Sequence, residues 1–158
     1  MSGEKGLLVS KIRDGTVIDH ISAGKALKVL RILGITGSEG FRVAIVMNAD
    51  SRKLGRKDII KLENKYLSKK EVDLIALVAP TATINIIRDY DVVEKYNVSL
   101  PEEITGLIKC PNPNCITRKP REVALSRFRL LRKDPVVLEC CYCGARVLGE
   151  DVEKYLEA

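Results

Sequence analysis

The chain has 158 residues, a formal net charge of +6, 46% hydrophobic and 30% charged residues; this excludes a disordered chain and bounds the architecture to one medium domain or two small ones. Trp is absent and there are only 2 Phe, so the core must be built from Ile, Leu and Val. The N-terminal "MSGEKGLLVSKI" has no long apolar stretch and no run approaches the roughly 18 apolar residues of a membrane span, so a cytoplasmic protein is expected.

"LLVSKI" and "GTVIDHI" are β-rich and separated by the turn signal Arg13-Asp14-Gly15. In "SAGKALKVLRILGI", Ser22 is a candidate N-cap, Ala26, Val29, Leu30 and Leu33 recur at helical spacing, and Gly34 can end the helix. "FRVAIVMN" (41–48) and "GRKDIIKLEN" (55–64) read as strands. Ser68 to Glu71 has capping-box spacing and opens the helix "KKEVDLIALVA", which Pro80 stops. "ATINIIRDYDVVEKY" is β-rich again. The order β–α–β–β–α–β predicts an α+β fold: a ferredoxin-like split βαβ domain, with an antiparallel sheet and two helices on one face.

Cysteine usage then divides the chain. Residues 1–109 contain none, and all five lie between Cys110 and Cys143. "NVSLPEE" (97–103) precedes the change, so the predicted units are residues 1–100 and 101–158. In the second, "GLIKC", "REVALSRFRLLR", "PVVLECC" and "ARVLG" read as brief strands of a small all-β domain. Some ~50 residues hold a core poorly without a metal or a similar staple.

That staple is written in "CPNPNC" (110–115) and "CCYC" (140–143). Cys110, Cys115, Cys140 and Cys143 pair as C-x4-C and C-x2-C, and four thiolates suit a closed, structural tetrahedral Zn²⁺ site, one per chain. Rubredoxin-like iron and unmetallated core cysteines are the alternatives. Cys141 is left over as a small thiol. The basic residues between the knuckles, Arg118 to Lys133, fit a nucleic-acid-binding zinc ribbon, a solvated face or a protein-docking surface. Only Phe128 lies among them, so a platform for stacking bases is missing.

The first unit carries a second constellation. His20 is the only histidine, so it cannot build a metal site with others, and no nucleophile motif accompanies Asp19 and His20. Taken by itself, His20 reads as a structural residue at a strand end. Beside Lys61 and Lys95, however, Asp19 offers an acceptor for a ribose hydroxyl and the lysines offer charge for phosphate. "GSEG" at 37–40 matches no phosphate-binding loop, so a nucleotide would have to bind on the sheet through side chains and backbone edges.

"GTVIDHI", "GRKDIIKLEN", "LIALVAPTATINIIRDYDVVEK", "SLPEEI", "CPNPNCI" and "CCYC", in this order, closely resemble the regulatory chains of aspartate carbamoyltransferase. The resemblance runs from about residue 7 to about residue 150. It implies a non-catalytic subunit with an allosteric domain followed by a zinc domain that docks on the catalytic chain. It further implies regulatory homodimers within a dodecamer of six catalytic and six regulatory chains. CTP and ATP would compete for one site, with UTP a third candidate, and so control the committed step of pyrimidine biosynthesis. No nucleic-acid or membrane partner is implied.

By the same resemblance Ile12, Val17, Asn85, Ile87, Tyr90 and Val92 surround the base, and Asp19 and Lys61 lie near the ribose. His20 and Lys95 lie near the phosphates, Ile59 belongs to the same pocket, and the four paired cysteines are the zinc ligands. Lys11 departs from the small residue expected beside the base, and "ITRKPREVALSRFRLLRKDP" follows the family loosely.

Overall fold

The computed structural model describes residues 11–121 and 124–156. The predicted strand "LLVSKI" falls mostly outside them, and Lys11 and Ile12 carry no strand. The first unit is built from β1 (Gly15–Ser22), α1 (Ala26–Ile32), β2 (Val43–Ser51), β3 (Gly55–Glu63), α2 (Lys69–Val78), β4 (Thr83–Arg88) and β5 (Asp91–Asn97). Its antiparallel sheet has the order β2-β3-β1-β4-β5. Strands 2-3-1-4 are the ferredoxin-like order, and β5 is an added edge. "ATINIIRDYDVVEKY" is thus two strands, turned by Asp89 and Tyr90 at φ 50 and φ 70. A two-residue loop with both φ positive matches the twist of a hairpin.

Alternation assigns the two faces of this sheet. Ile18 on β1, Ile60 and Leu62 on β3 and Ile84 on β4 are fully buried under the helices. Val17, Asp19, Lys57, Ile59 and Lys61 have the opposite parity and face away. Helix α1 turns Ala26, Val29, Leu30 and Ile32 into the core. Its N-cap is Lys25, not Ser22, because β1 continues through Ser22 and the carbonyl of Ser22 accepts from the Lys25 N–H in the following turn. Helix α2 starts at the predicted capping box: the Glu71 N–H donates to the Ser68 hydroxyl, and the Ser68 N–H donates to the Glu71 carboxylate. Leu74 to Val78 are all buried because α2 is covered on two sides, by the sheet and by the second unit.

The second unit is an antiparallel sheet, β6 (Glu103–Thr105), β7 (Arg127–Lys133), β8 (Val136–Cys140) and β9 (Arg146–Leu148), in that order. "GLIKC" is not one of its strands. Gly106, at φ 73, turns the chain out of β6 so that it can run toward Cys110. Strand β7 occupies only the second half of "REVALSRFRLLR", of which residues 122–123 lie outside the described residues.

One continuous core joins the units. Val98, Ile104, Ile108, Phe128, Leu138 and Val152 cluster with the buried side chains of the first sheet. The 3₁₀ segment Gly149–Tyr155 packs on α1 and α2. A Cβ at Gly149 would collide with the Leu77 carbonyl and the Val136 side chain, so only glycine allows this approach. Beside it, Arg31 Nε lies 2.6 Å from Glu153 Oε2.

Candidate functional site

Two knuckles assemble the cysteine cluster. In the first, the Cys115 N–H donates to the Asn112 carbonyl, and the Asn114 N–H to Asn112 Oδ1. In the second, the Cys140 N–H donates to the Ala145 carbonyl and the Gly144 N–H donates back to the Cys140 carbonyl, with Gly144 at φ 79. The Sγ atoms of Cys110, Cys115, Cys140 and Cys143 all lie within 4.8 Å of one another. The Cys110–Cys143 and Cys115–Cys140 separations are 3.5 and 3.8 Å. A tetrahedron with metal–sulfur bonds of about 2.3 Å has edges of about 3.8 Å, so the four thiols fit a tetrahedral metal ion.

Electrostatics at the cluster agree with that use. Burial pushes the Cys110 and Cys140 thiols up. Burial also pushes Cys143 up, but the Ala145 N–H, the Asn112 side chain and the neighbouring thiols outweigh it and bring Cys143 to about 7. One sulfur is therefore ready to ionise, and a cation supplies what the buried ones need. The Thr117 hydroxyl, 3.2 Å from Cys115 Sγ, can donate to that sulfur. Cys141 points outward and takes no part.

The second constellation lies on the helix-free face of the first sheet. Val17 is the cross-strand partner of both Lys61 and Asn85, and Asn85 is the partner of Lys95. Directly opposed residues share a face, so Lys61, Val17, Asn85 and Lys95 form one row. An open depression of about 290 Å³ covers most of it, lined by Lys11, Ile12, Val17, Asp19, Lys61, Asn85, Ile87, Tyr90 and Val92. Asn85 Nδ2 donates to the Val17 carbonyl at 3.2 Å, which fixes the amide in the floor. Burial lowers the Lys61 pKa, Asp19 opposes this, and the charge of Lys11 adds to the lowering.

Both parts match known families. Residues 7–99 match "Aspartate carbamoyltransferase regulatory chain, allosteric domain", and residues 102–153 match "Aspartate carbamoyltransferase regulatory chain, metal binding domain". The chain belongs to the family of aspartate carbamoyltransferase regulatory chains. The aspartate carbamoyltransferase regulatory chain of Staphylothermus marinus is 64% identical over 152 residues, covering 96% of this chain and 93% of the relative. That of Hyperthermus butylicus is 60% identical over 156 residues, covering 99% and 98%. That of Caldivirga maquilingensis is 58% identical over 153 residues, covering 97% and 93%. The family is that of the regulatory and not the catalytic chain, with an allosteric and a metal-binding part.

Within this regulatory chain the structure gathers most, though not all, of the predicted pocket residues. Ile12, Val17, Asp19, Lys61, Asn85, Ile87, Tyr90 and Val92 line the depression together. Lys95 is exposed one strand beyond Asn85, about 14 Å or three strand spacings from Lys61. Ile59 has the right parity but opposes the bulge in β1. His20 does not line the depression. It sits at φ 56 in that bulge, with Nδ1 2.8 Å from the Thr83 hydroxyl.

One residue was missed. Lys57 Nζ lies 3.0 Å from Asp19 Oδ1 across the sheet. Its period-two spacing from Lys61 in "RKDIIK", with Ile59 between, was the available signal. Three arginines of the second sheet are paired: Arg127 with Glu103, and Arg129 and Arg146 with Glu139. Nothing here favours the nucleic-acid-binding alternative. No helix among the described residues is long and apolar enough to cross a membrane.

Proposed function

We propose that the depression on the first sheet is the nucleotide site of this regulatory chain, and that CTP and ATP compete for it, with UTP as a third ligand. The cross-strand row Lys61–Val17–Asn85 carries this reading. It sets a cation, an apolar floor and an amide side by side, which suits ribose, base face and base edge. Asp19 is close enough to the row to meet the ribose, and His20 and Lys95, both outside the depression, would meet the phosphates. Lys11, also in the lining, adds a cation at the rim.

The four thiolates hold one Zn²⁺ per chain. The sulfur spacing and an all-sulfur donor set support zinc. Filled by protein alone, such a site activates no water and is structural. The metal-binding part, predicted over 101–158, docks on the catalytic chain. Ile116, Leu125, Leu131 and Tyr142 are exposed there, apolar side chains that a partner could cover. Two such chains form a homodimer, and six join six catalytic chains in a cytoplasmic dodecamer. Nucleotide binding then shifts a quaternary equilibrium by its differential affinity for the two states, and so governs the committed step of pyrimidine synthesis.

The test is titration of the complex reconstituted with its catalytic chain, using CTP, UTP and ATP while the aspartate saturation curve is followed. Shifts in half-saturation that one nucleotide reverses in another are expected. Curves indifferent to all three nucleotides, or failure of the two chains to assemble, would overturn the proposal.

A further inference from the structure

Asp58 is the one fully buried carboxylate among the described core residues. It lies on the helix side of β3, directly after Lys57, which is on the opposite face and pairs with Asp19. Its Oδ2 accepts from the Gly24 and Ala26 N–H groups at 2.9 and 3.0 Å, and its Oδ1 accepts from the Asn48 N–H at 2.9 Å. Those donors come from two segments. Strand β3 is flanked by two bulges: Asp19–His20 of β1 stand against Ile59, and Met47–Asn48 of β2 stand against Asp58.

A bulge leaves a backbone group without its ladder partner and turns the strand. His20 and Asn48 hold the turned positions, at φ 56 and φ 62. Three N–H groups, one from the β2 bulge and two from the segment where β1 runs into α1, therefore converge on a single carboxylate, that of Ala26 fully buried and those of Gly24 and Asn48 partly so. Such charge-assisted bonds are stronger than neutral ones, and a buried carboxylate without them is costly.

We propose that Asp58 is a positioning residue for the nucleotide site. Held at both oxygens, it fixes the path on which β1 leaves the sheet, and so the bulge that turns Asp19 to Lys57 and His20 to Thr83. It touches no ligand. This inference rests on the nucleotide reading above, and one arm of its test does not.

Asp58→Asn keeps the shape but replaces one acceptor by an NH₂, which cannot accept from the converging donors. The chain has a single histidine, so its ring protons give one assignable set of NMR signals. In the full chain, Asp58→Asn is expected to move the His20 ring signals away from their native position and to weaken CTP binding about tenfold. Cytidine, which keeps the ribose that Asp19 meets but lacks the phosphates, should lose clearly less affinity than CTP. An unchanged His20 spectrum, or equal losses for CTP and cytidine, would make Asp58 merely structural and overturn the proposal. If the native chain binds no nucleotide, the site reading falls, while the His20 signals still decide the role of Asp58. Should the variant fail to fold, amide exchange in the native chain serves: saturation with CTP should slow Gly24, Ala26 and Asn48 together, although none of them lines the depression. Unaltered exchange at these amides would also overturn it.

Discussion

Lys57 and Asp19 meet across the sheet at 3.0 Å, with side chains only 18% and 24% exposed. Partly withdrawn from water, the pair is screened less than a surface ion pair. It also neutralises a carboxylate that would otherwise repel an incoming phosphate.

Lys57→Ala is therefore expected to weaken CTP binding about tenfold by leaving Asp19 uncompensated. Adding Asp19→Asn should recover part of the loss. Calorimetric titration of the two single variants and the double variant measures this coupling; strictly additive losses would show that the pair does not act as one.

Lys61 is expected to act with opposite signs on stability and on binding. Burial lowers its pKa, with Lys11 contributing and Asp19 opposing. Between the lowered value and the ordinary lysine range the unfolded chain holds more protons than the folded one, so stability rises with pH there. Lys61→Met should flatten that rise and raise Tm of the nucleotide-free chain below it, while weakening CTP binding. Thermal melts over pH, paired with calorimetry, read both effects; an unchanged CTP affinity would remove Lys61 from the site.

Cys115→Ser replaces a buried sulfur of the cluster. Metal binding and folding are coupled in so small a unit, so the variant should lose its metal and its association with the catalytic chain together. Metal analysis beside size-exclusion chromatography of the mixed chains checks it. A metal-free variant that still assembles contradicts the structural role.

Gly149→Ala places a methyl group against the Leu77 carbonyl and Val136. Overpacking of this kind costs about 1–3 kcal/mol. For a chain of this size each kcal/mol lowers Tm by roughly 2–4 °C. Because the contact joins the two units, the effect of nucleotide on the catalytic partner should weaken while nucleotide affinity stays native. Calorimetric melting and the aspartate saturation curve test the two halves of this expectation.

Much of the fold was legible because it is encoded locally. The capping box at Ser68 and the alternation in "GRKDIIKLEN" are contained within a few residues, and both formed as read. The start of α1 was misread because β1 runs through Ser22 and a turn precedes the helix, and Asp58, 36 positions on from Ser22 in the chain, receives the N–H groups of Gly24 and Ala26. The hairpin in "ATINIIRDYDVVEKY" was passed over because Asp-Tyr is not a typical turn pair, and its positive φ values appear only in the folded chain.

By itself, the sequence determined the split into two units, the thiol chemistry of the second and the family resemblance of the whole, since each depends on residue types at short spacings. Tertiary structure alone decided which side chains meet. Sheet register brings Lys61, Val17 and Asn85 into one row, and a bulge carries His20 out of the depression and onto Thr83. Pairing between distant strands sets that register, and a shift of one residue would turn every side chain to the other face.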